Sequence, residues 1–381
     1  MPPFRIAPGR VAGMVALLAL LPLPRMGQAA EPPQPRAQVV TAGLEYPWAV
    51  APLADGSFLV TERPGRLRRV SAIGELSAPI EGLPRVAVRL QGGLLDLVTD
   101  TAFARNRTLY FCYSQPSEED DEATSTALAR ATLSKDYSRL EHVKVIFVQQ
   151  PKVEGQLHFG CRIAEARDGT LFLTLGERVS RREDAQRLEN HLGKVVRIRK
   201  DGSIPRNNPF VGKPGARPEI WSYGHRNSQG ATIAPDGRFW MVEHGPTGGD
   251  EINLPLAGRN YGWPVISYGK NLDGSPVGEG RVAQPGMEQP LLYWAPSLAP
   301  SGMAFLTSDR YGPAWKGNLF VGSLRLRYLN RIEFKGGTTV VEHKLLADRQ
   351  ERIRDVRQGP DGLLYVLTDE ENGKLIRLLP R

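Results

Sequence analysis

Along this chain of 381 residues, apolar and polar positions fall into one recurring unit instead of helical faces. "DGSFLVTE" from Asp55, "NRTLYFCY" from Asn106, "DGTLFLTL" from Asp168, "DGRFWMVE" from Asp236, "KGNLFVGS" from Lys316 and "DGLLYVLT" from Asp361 share it. Each opens on turn residues and runs into about five apolar or β-branched positions. The turn residues accept positive φ, and an unbroken apolar run suits a strand buried on both faces. The copies lie roughly 45 to 80 residues apart, the length of a four-stranded sheet with its loops. Six such sheets set radially predict an all-β, six-bladed β-propeller. One such segment would mark any hairpin; six at comparable intervals favour the propeller. Equivalent strands then run the same way around a central channel, so residues just past each copy should gather at one mouth. These are Glu62 and Arg63, Glu177 and Arg178, His244, and Leu324 and Arg325. "EDAQRLENHLGK" reads as a helix covering part of one face, and "SEEDDE" as a solvated loop.

The N-terminus does not belong to this pattern. Arg5 and Arg10 precede "VAGMVALLALLPLP", and the small residues of "GQAA" follow. That is the layout of a secretory signal over residues 1–30, cut near Ala29 or Ala30. Residues 31–381 are then expected to form a single propeller domain, soluble and periplasmic, without stable membrane insertion. The formal charge of +8 falls to about +5 without the leader. Its basic residues are scattered, which argues against nucleic acid and leaves room for a small anionic ligand. Cys112 and Cys161 allow at most one disulfide, and sequence leaves open whether they meet.

Several segments could carry chemistry. "VEHGPTGGDEIN", Val242 to Asn253, breaks from an apolar strand into glycines and two acids. It lacks the Lys-Ser/Thr pair of a phosphate cradle, whereas carbonyls beside carboxylates suit a hard cation such as calcium. His158 in "GQLHFGCR" reads either as a satisfied core residue or as a general base, with Glu177 as the carboxylate that orients it. Arg226 lies between glycines in "YGHRNSQG", a setting for carboxylate recognition or for a structural ion pair. Arg325, Arg352 and Arg354 add charge from distant sequence, and "LQGGLLD" brings Gln91 and Asp96. Arginines aimed at one mouth would receive a polyanion.

These segments resemble the soluble PQQ-dependent aldose sugar dehydrogenases, the glucose/sorbosone dehydrogenase family. The match runs in order through "YPWAV", "QGGLLD", "HFGCR", "GHRNSQG", "EHGPTGGDEINL", "NYGWP", "APSGMAF", "GNLFVGSL" and "RIRDVRQGPDGLLYVLTDE". The resemblance implies a six-bladed propeller that binds pyrroloquinoline quinone (PQQ), a flat quinone with three carboxylates, over the channel mouth. It implies His158 as base, with Glu177 and Arg226 beside it in catalysis. Gln91, Arg226, Asn227, Ser323, Leu324, Arg325, Arg352, Ile353 and Arg354 fall on cofactor-contacting segments. Gly245 and Pro246 fall where carbonyls hold the cofactor's calcium, and Glu251 and Tyr261 on a second, structural calcium site. Two positions depart from the family pattern: Glu177 stands where aspartate is common, and Arg325 where lysine often stands.

The expected activity is oxidation of the anomeric hydroxyl of aldoses to lactones. His158 takes the proton, and a hydride passes to PQQ. An unidentified periplasmic acceptor then takes the electrons, and the protein is a monomer or homodimer. Two rivals remain at this stage: a calcium-dependent propeller lactonase or other hydrolase, and a non-catalytic binding propeller.

Overall fold

A computed structural model describes residues 34–120, 122–335 and 339–381. The expected leader, residues 1–30, lies outside the described residues. Six antiparallel sheets follow one another along the chain. Their inner strands are Pro47–Pro52, Leu94–Thr99, Gly160–Glu165, Ser228–Ile233, Pro300–Phe305 and Ile353–Gln358. Each packs on the next, and the sixth packs on the first, which closes a ring around a central axis. We number the blades 1 to 6 in this order. The N-terminal strand Arg36–Leu44 adds to the outer edge of blade 6, with Arg36 opposite Leu379. The first and last described strands therefore close the propeller together.

The six repeated segments form the second strand of every blade: Phe58–Glu62, Thr108–Pro116, Thr170–Leu175, Phe239–Glu243, Leu319–Ser323 and Leu364–Thr368. Their side chains are buried almost throughout, because each blade is covered on both faces by its neighbours. The Asp-Gly copies enter the strand in the same way. The Asp55, Asp168, Asp236 and Asp361 carboxylates each accept the N–H two residues on, at 3.0–3.1 Å. The following glycine takes φ between +79° and +90°.

The inner strands behave differently. Every one slips register near its start, at the same mouth of the channel. The residues within these slips are Trp48; Leu95 and Asp96; Cys161 and Arg162; Gln229; Ser301 and Gly302; and Arg354. Bulges re-aim side chains, and this ring of them turns one polar or aromatic side chain after another toward the axis.

The expected helix in "EDAQRLENHLGK" is a correction: only Arg182–Gln186 forms a turn, and it is a 3-10 turn. Lys194 is fully buried beside it and donates to the carbonyls of Asp184, Ala185 and Leu192 at 2.9, 3.1 and 2.6 Å. The Asp184 carbonyl also accepts the Arg187 N–H within that turn, while the Ala185 carbonyl accepts the Gly224 N–H from outside it. Glu118, Glu119, Asp120 and Glu122 are exposed, as expected of a solvated loop. Cys112 and Cys161 are joined in a disulfide, with Cα atoms 5.9 Å apart. Among the described residues, no helix is long and apolar enough to cross a membrane.

Candidate active site

The second strands end where the inner strands begin, and a cavity of about 500 Å³ opens there. That volume suits a small-molecule site. Its wall carries five arginines, Arg63, Arg325, Arg327, Arg352 and Arg354, against the single carboxylate of Asp369. Arg354 donates to Gln229 Oε1 at 3.0 Å and to Asp369 Oδ2 at 2.9 Å, and Arg352 reaches the same oxygen at 2.7 Å. Burial alone would raise the Asp369 carboxyl, but Arg354 and Arg352 outweigh it and hold it down at about 2. One carboxylate cannot neutralise five guanidiniums, so the cavity is built for an anion. Arg226 and Arg354 each keep a buried Nε without a partner.

Beneath the cavity the axis is closed. Arg162, 1% exposed, bonds Asp96 Oδ1 at 3.2 Å and Asp355 Oδ1 at 3.0 Å. It also donates to the carbonyls of Gln229 and Arg354, at 2.7 and 3.2 Å, and stacks over Trp48 at 4.0 Å. One guanidinium thus ties blades 1, 2, 4 and 6 to its own blade 3. Desolvation of the buried charges offsets much of their mutual attraction, so the cluster by itself is weak evidence of net stability. Asp96 belongs to this plug and not to the cavity. Gly302 lets Asp355 approach, since a Cβ there would lie 2.1 Å from Asp355 Oδ1.

His158 stands at the cavity's edge. Its N–H donates to Gln91 Oε1 at 2.9 Å, and Gln91 lines the cavity. Its ring is 2.8 Å from Glu177 Oε2 through Nδ1. Burial is the largest influence on the imidazole and lowers its pKa, against the opposing pull of Glu177. Burial by itself raises Glu177, but the hydrogen bond and charge of His158, with Arg226 behind, hold it below the usual carboxylate range. An ionised carboxylate only accepts, so Nδ1 carries the proton and Nε2 keeps a lone pair. Glu177 reaches His158 with its longer side chain. The chain bends sharply to allow it: Arg178 and Val179 have φ of +64° and +60°, and the Val179 N–H returns to Glu177 Oε2.

Arg226 lies behind the loop from Val242 to Asn253, where its Nη1 donates to the carbonyls of His244 and Gly245 at 3.1 and 2.9 Å. Gly245 N–H donates to Asp250 Oδ1 at 2.9 Å. Glu251 pairs across the sheet with Glu243, like charge against like. Burial first, then Glu243, pushes the Glu251 carboxyl up to about 8. Asn253 Nδ2 bridges the two carboxylates at 2.9 Å each, while its Oδ1 is buried without a partner. Tyr261 stacks on His225 at 4.8 Å, and His225 Nδ1 is 3.0 Å from Glu243. No three His, Cys, Asp or Glu side chains converge on a metal position among the described residues.

Of the residues expected to contact a cofactor, Gln91, Leu324, Arg325, Arg352 and Arg354 line the cavity. Asn227, Ser323 and Ile353 are buried behind it. Asn227 Oδ1 accepts the Gly160 N–H, Ser323 Oγ donates to Leu298 O, and the Ile353 carbonyl accepts from Ser301. Of the residues expected at the mouth, Arg63, His244, Leu324 and Arg325 line the cavity. Glu62 instead pairs with Arg66, and Arg178 donates to the carbonyls of Leu157, Thr124 and Gly155. Trp48, Gln229, Arg327 and Asp369 were not anticipated. Asp369 follows the sixth repeat as Glu177 follows the third, so the repeat pattern itself points to it.

A propeller with a cationic cavity at one mouth, and a carboxylate-tethered histidine beside it, is the setting of an enzyme acting with an anionic partner. The family model for glucose/sorbosone dehydrogenases matches residues 44–377, and the chain belongs to that family of oxidoreductases. It is 44% identical over 356 residues to an aldose sugar dehydrogenase of Escherichia coli strain K12, a match covering 92% of this chain and 95% of that protein. The solved apo-form of the soluble aldose sugar dehydrogenase from Escherichia coli superposes with a TM-score of 0.87, at 42% identity, covering 91% of this chain and 99% of the other. The PQQ-bound form of an aldose sugar dehydrogenase from Streptomyces coelicolor superposes with a TM-score of 0.74, at 27% identity, covering 91% and 99% of the two chains.

Proposed function

We propose that the protein is an exported, periplasmic dehydrogenase that oxidises the anomeric hydroxyl of aldoses to lactones with PQQ and calcium. In this reading residues 1–30 are a cleaved leader and residues 31–381 one catalytic propeller. The observation that carries the reading is the five-arginine cavity with the His158–Glu177 pair at its edge. The donor set fits a flat tricarboxylate. Arg325, Arg352 and Arg354 would hold carboxylates, Gln91 would bond polar atoms, and Arg226 brings a buried Nε that lacks a partner. Asn227, Ser323, Leu324 and Ile353 shape and support that wall.

Calcium fits the loop chemistry. The Gly245 and Pro246 carbonyls would hold the cofactor's ion, and Glu251 with the Tyr261 carbonyl a second, structural one. The opposed Glu243 and Glu251, and the unpartnered Asn253 Oδ1, are what a cation would relieve.

When bound, the quinone would supply the acceptor for a hydride, which carries both electrons of the oxidation. The chain supplies the proton chemistry and the field. His158 Nε2 takes the hydroxyl proton from the anomeric carbon's oxygen as its C–H bond breaks. Glu177 keeps Nδ1 protonated and supports the imidazolium that forms. Arg226 sets positive charge against the cofactor from behind the His244–Gly245 backbone. A periplasmic acceptor then removes the electrons.

The test is purified apoprotein mixed with PQQ and calcium and given aldoses and a redox dye. Sugar-dependent dye reduction is expected. Lactone hydrolysis without PQQ would replace this reading with a hydrolase, and neither activity would leave a binding propeller.

A further inference from the structure

The Cys112–Cys161 bridge joins the second strand of blade 2 to the inner strand of blade 3. Both cysteines are fully buried. Cys161 also has an unusual backbone. Its φ is +79°, in the left-handed region that residues with a side chain seldom occupy. His158 and Gly160, at +54° and +66°, lie there too. Three of the four residues from 158 to 161 are therefore left-handed. They lead into the bulge where blade 3 slips register between Gly160 and Ile163; Cys161 lies within it, and His158 stands two residues ahead of Gly160.

Neighbouring bonds fix part of this turn. Thr126 Oγ1 donates to Phe159 O at 2.7 Å, and Asn227 Oδ1 accepts the Gly160 N–H at 3.1 Å. Gly176 backs onto the His158 carbonyl so closely that a Cβ would lie 2.0 Å from its oxygen. Residue 161 is tied differently, by a covalent bond to the neighbouring blade. A residue with a Cβ is strained when left-handed, and such conformations persist only where the surroundings hold them.

We propose that the Cys112–Cys161 bridge is a positioning device for the base: it holds residue 161 left-handed and so turns His158 toward Glu177 and the cavity. The proposal rests on His158 being the base. A chain with both thiols free would then keep a complete cofactor cavity and a misaimed imidazole. A bridge that merely staples blades 2 and 3 would leave the geometry of His158 indifferent to which residue stands at 161.

The experiment compares three double variants, in which Cys112→Ala is combined with Cys161→Gly, Cys161→Asn or Cys161→Ala. Tolerance of the left-handed conformation falls in that order. The readout independent of cofactor is the downfield proton resonance of His158 Nδ1–H in the apoprotein, assigned by its loss in His158→Gln. It should survive best in the Cys161→Gly variant, less in Cys161→Asn and least in Cys161→Ala. Turnover with saturating PQQ and calcium should follow the same order. The Cys161→Ala variant should lose about ten- to a hundredfold, as expected for a displaced catalytic group. The Cys161→Gly variant should stay within about threefold of wild type, and PQQ affinity within about threefold in all. If the Cys161→Ala variant does not fold, the Cys161→Gly and Cys161→Asn pair carries the same ranking. Equal resonances and equal turnover across the series would overturn the proposal. A wild type without sugar oxidation would sink the functional reading, and the resonance series would still judge the bridge.

Discussion

In every blade, the second strand and the inner strand beside it have the same length scale and opposite roles. The second strands are nearly interchangeable, with turn residues, an apolar run and burial on both sides. The inner strands share only a defect. Each slips register at the same mouth, and what the slip presents differs by blade: Trp48, Asp96, Arg162, Gln229, Ser301 or Arg354. The repeated element makes the fold, and the place where repetition fails makes the site. A propeller can therefore keep its core while changing the chemistry on its axis one bulge at a time.

The comparison is broken most directly at His158, two residues ahead of the strand that carries the blade 3 bulge. His158→Gln should lower turnover about a hundred- to ten-thousandfold in fully reconstituted protein and leave PQQ binding nearly intact. Steady-state rates beside a PQQ titration check this, and near-normal turnover would return His158 to the core. Leu364, fully buried in the second strand of blade 6, is the opposite case. Leu364→Ala should cost about 2–5 kcal/mol of stability and leave turnover per folded molecule unchanged. Thermal or urea melts paired with rates decide it, and a selective loss of rate would contradict the division of labour.

Glu177→Gln should have a smaller effect on rate, about tenfold. Because Glu177 pulls the His158 pKa upward, its removal should move the acid limb of the pH–rate profile to lower pH. An unmoved profile at wild-type turnover would make Glu177 a bystander. The smallest effect is expected at Glu251. Its carboxyl has a pKa of about 8 in the folded, metal-free protein against an ordinary 4.5, so between those values the folded state holds a proton that the unfolded chain releases. Stability of the chelated protein should fall as pH rises through that window. Calcium binds the ionised form, so its stabilising effect should grow from about pH 5 to about pH 8 and flatten in Glu251→Gln. Melts with calcium and with chelator measure it; the same calcium shift in both proteins would remove Glu251 from the metal site.

The same contrast explains what could be read in advance. The second strands announce themselves because Asp-Gly turns and apolar runs are local signals, and six copies fix the blade count. The loop from Val242 to Asn253 was legible for the same reason, with glycines and acids in sequence. The bulges were not, since a register slip depends on how two strands pair, and Trp48 or Gln229 looks like any strand residue. The bridge from Cys112 to Cys161 joins two blades 49 residues apart, which no local pattern specifies. The segment around Asp184 has helical periodicity, yet the Ala185 carbonyl turns to buried Lys194 and to the Gly224 N–H, tertiary contacts set against a local preference. The resemblance to a known family located cavity residues such as Arg352 and Arg354, but not Asp369, which orders them.

That the cationic cavity holds the cofactor is tested most directly at Arg354, the one cavity arginine within a bulge, by calorimetric titration of PQQ into calcium-loaded Arg354→Met and Leu364→Ala apoproteins. The account predicts an affinity loss of about ten- to a hundredfold for Arg354→Met, the scale of a charged hydrogen bond. Leu364→Ala, measured well below its melting temperature, should bind as wild type does. Unchanged affinity in Arg354→Met, or an equal loss in both variants, would contradict it.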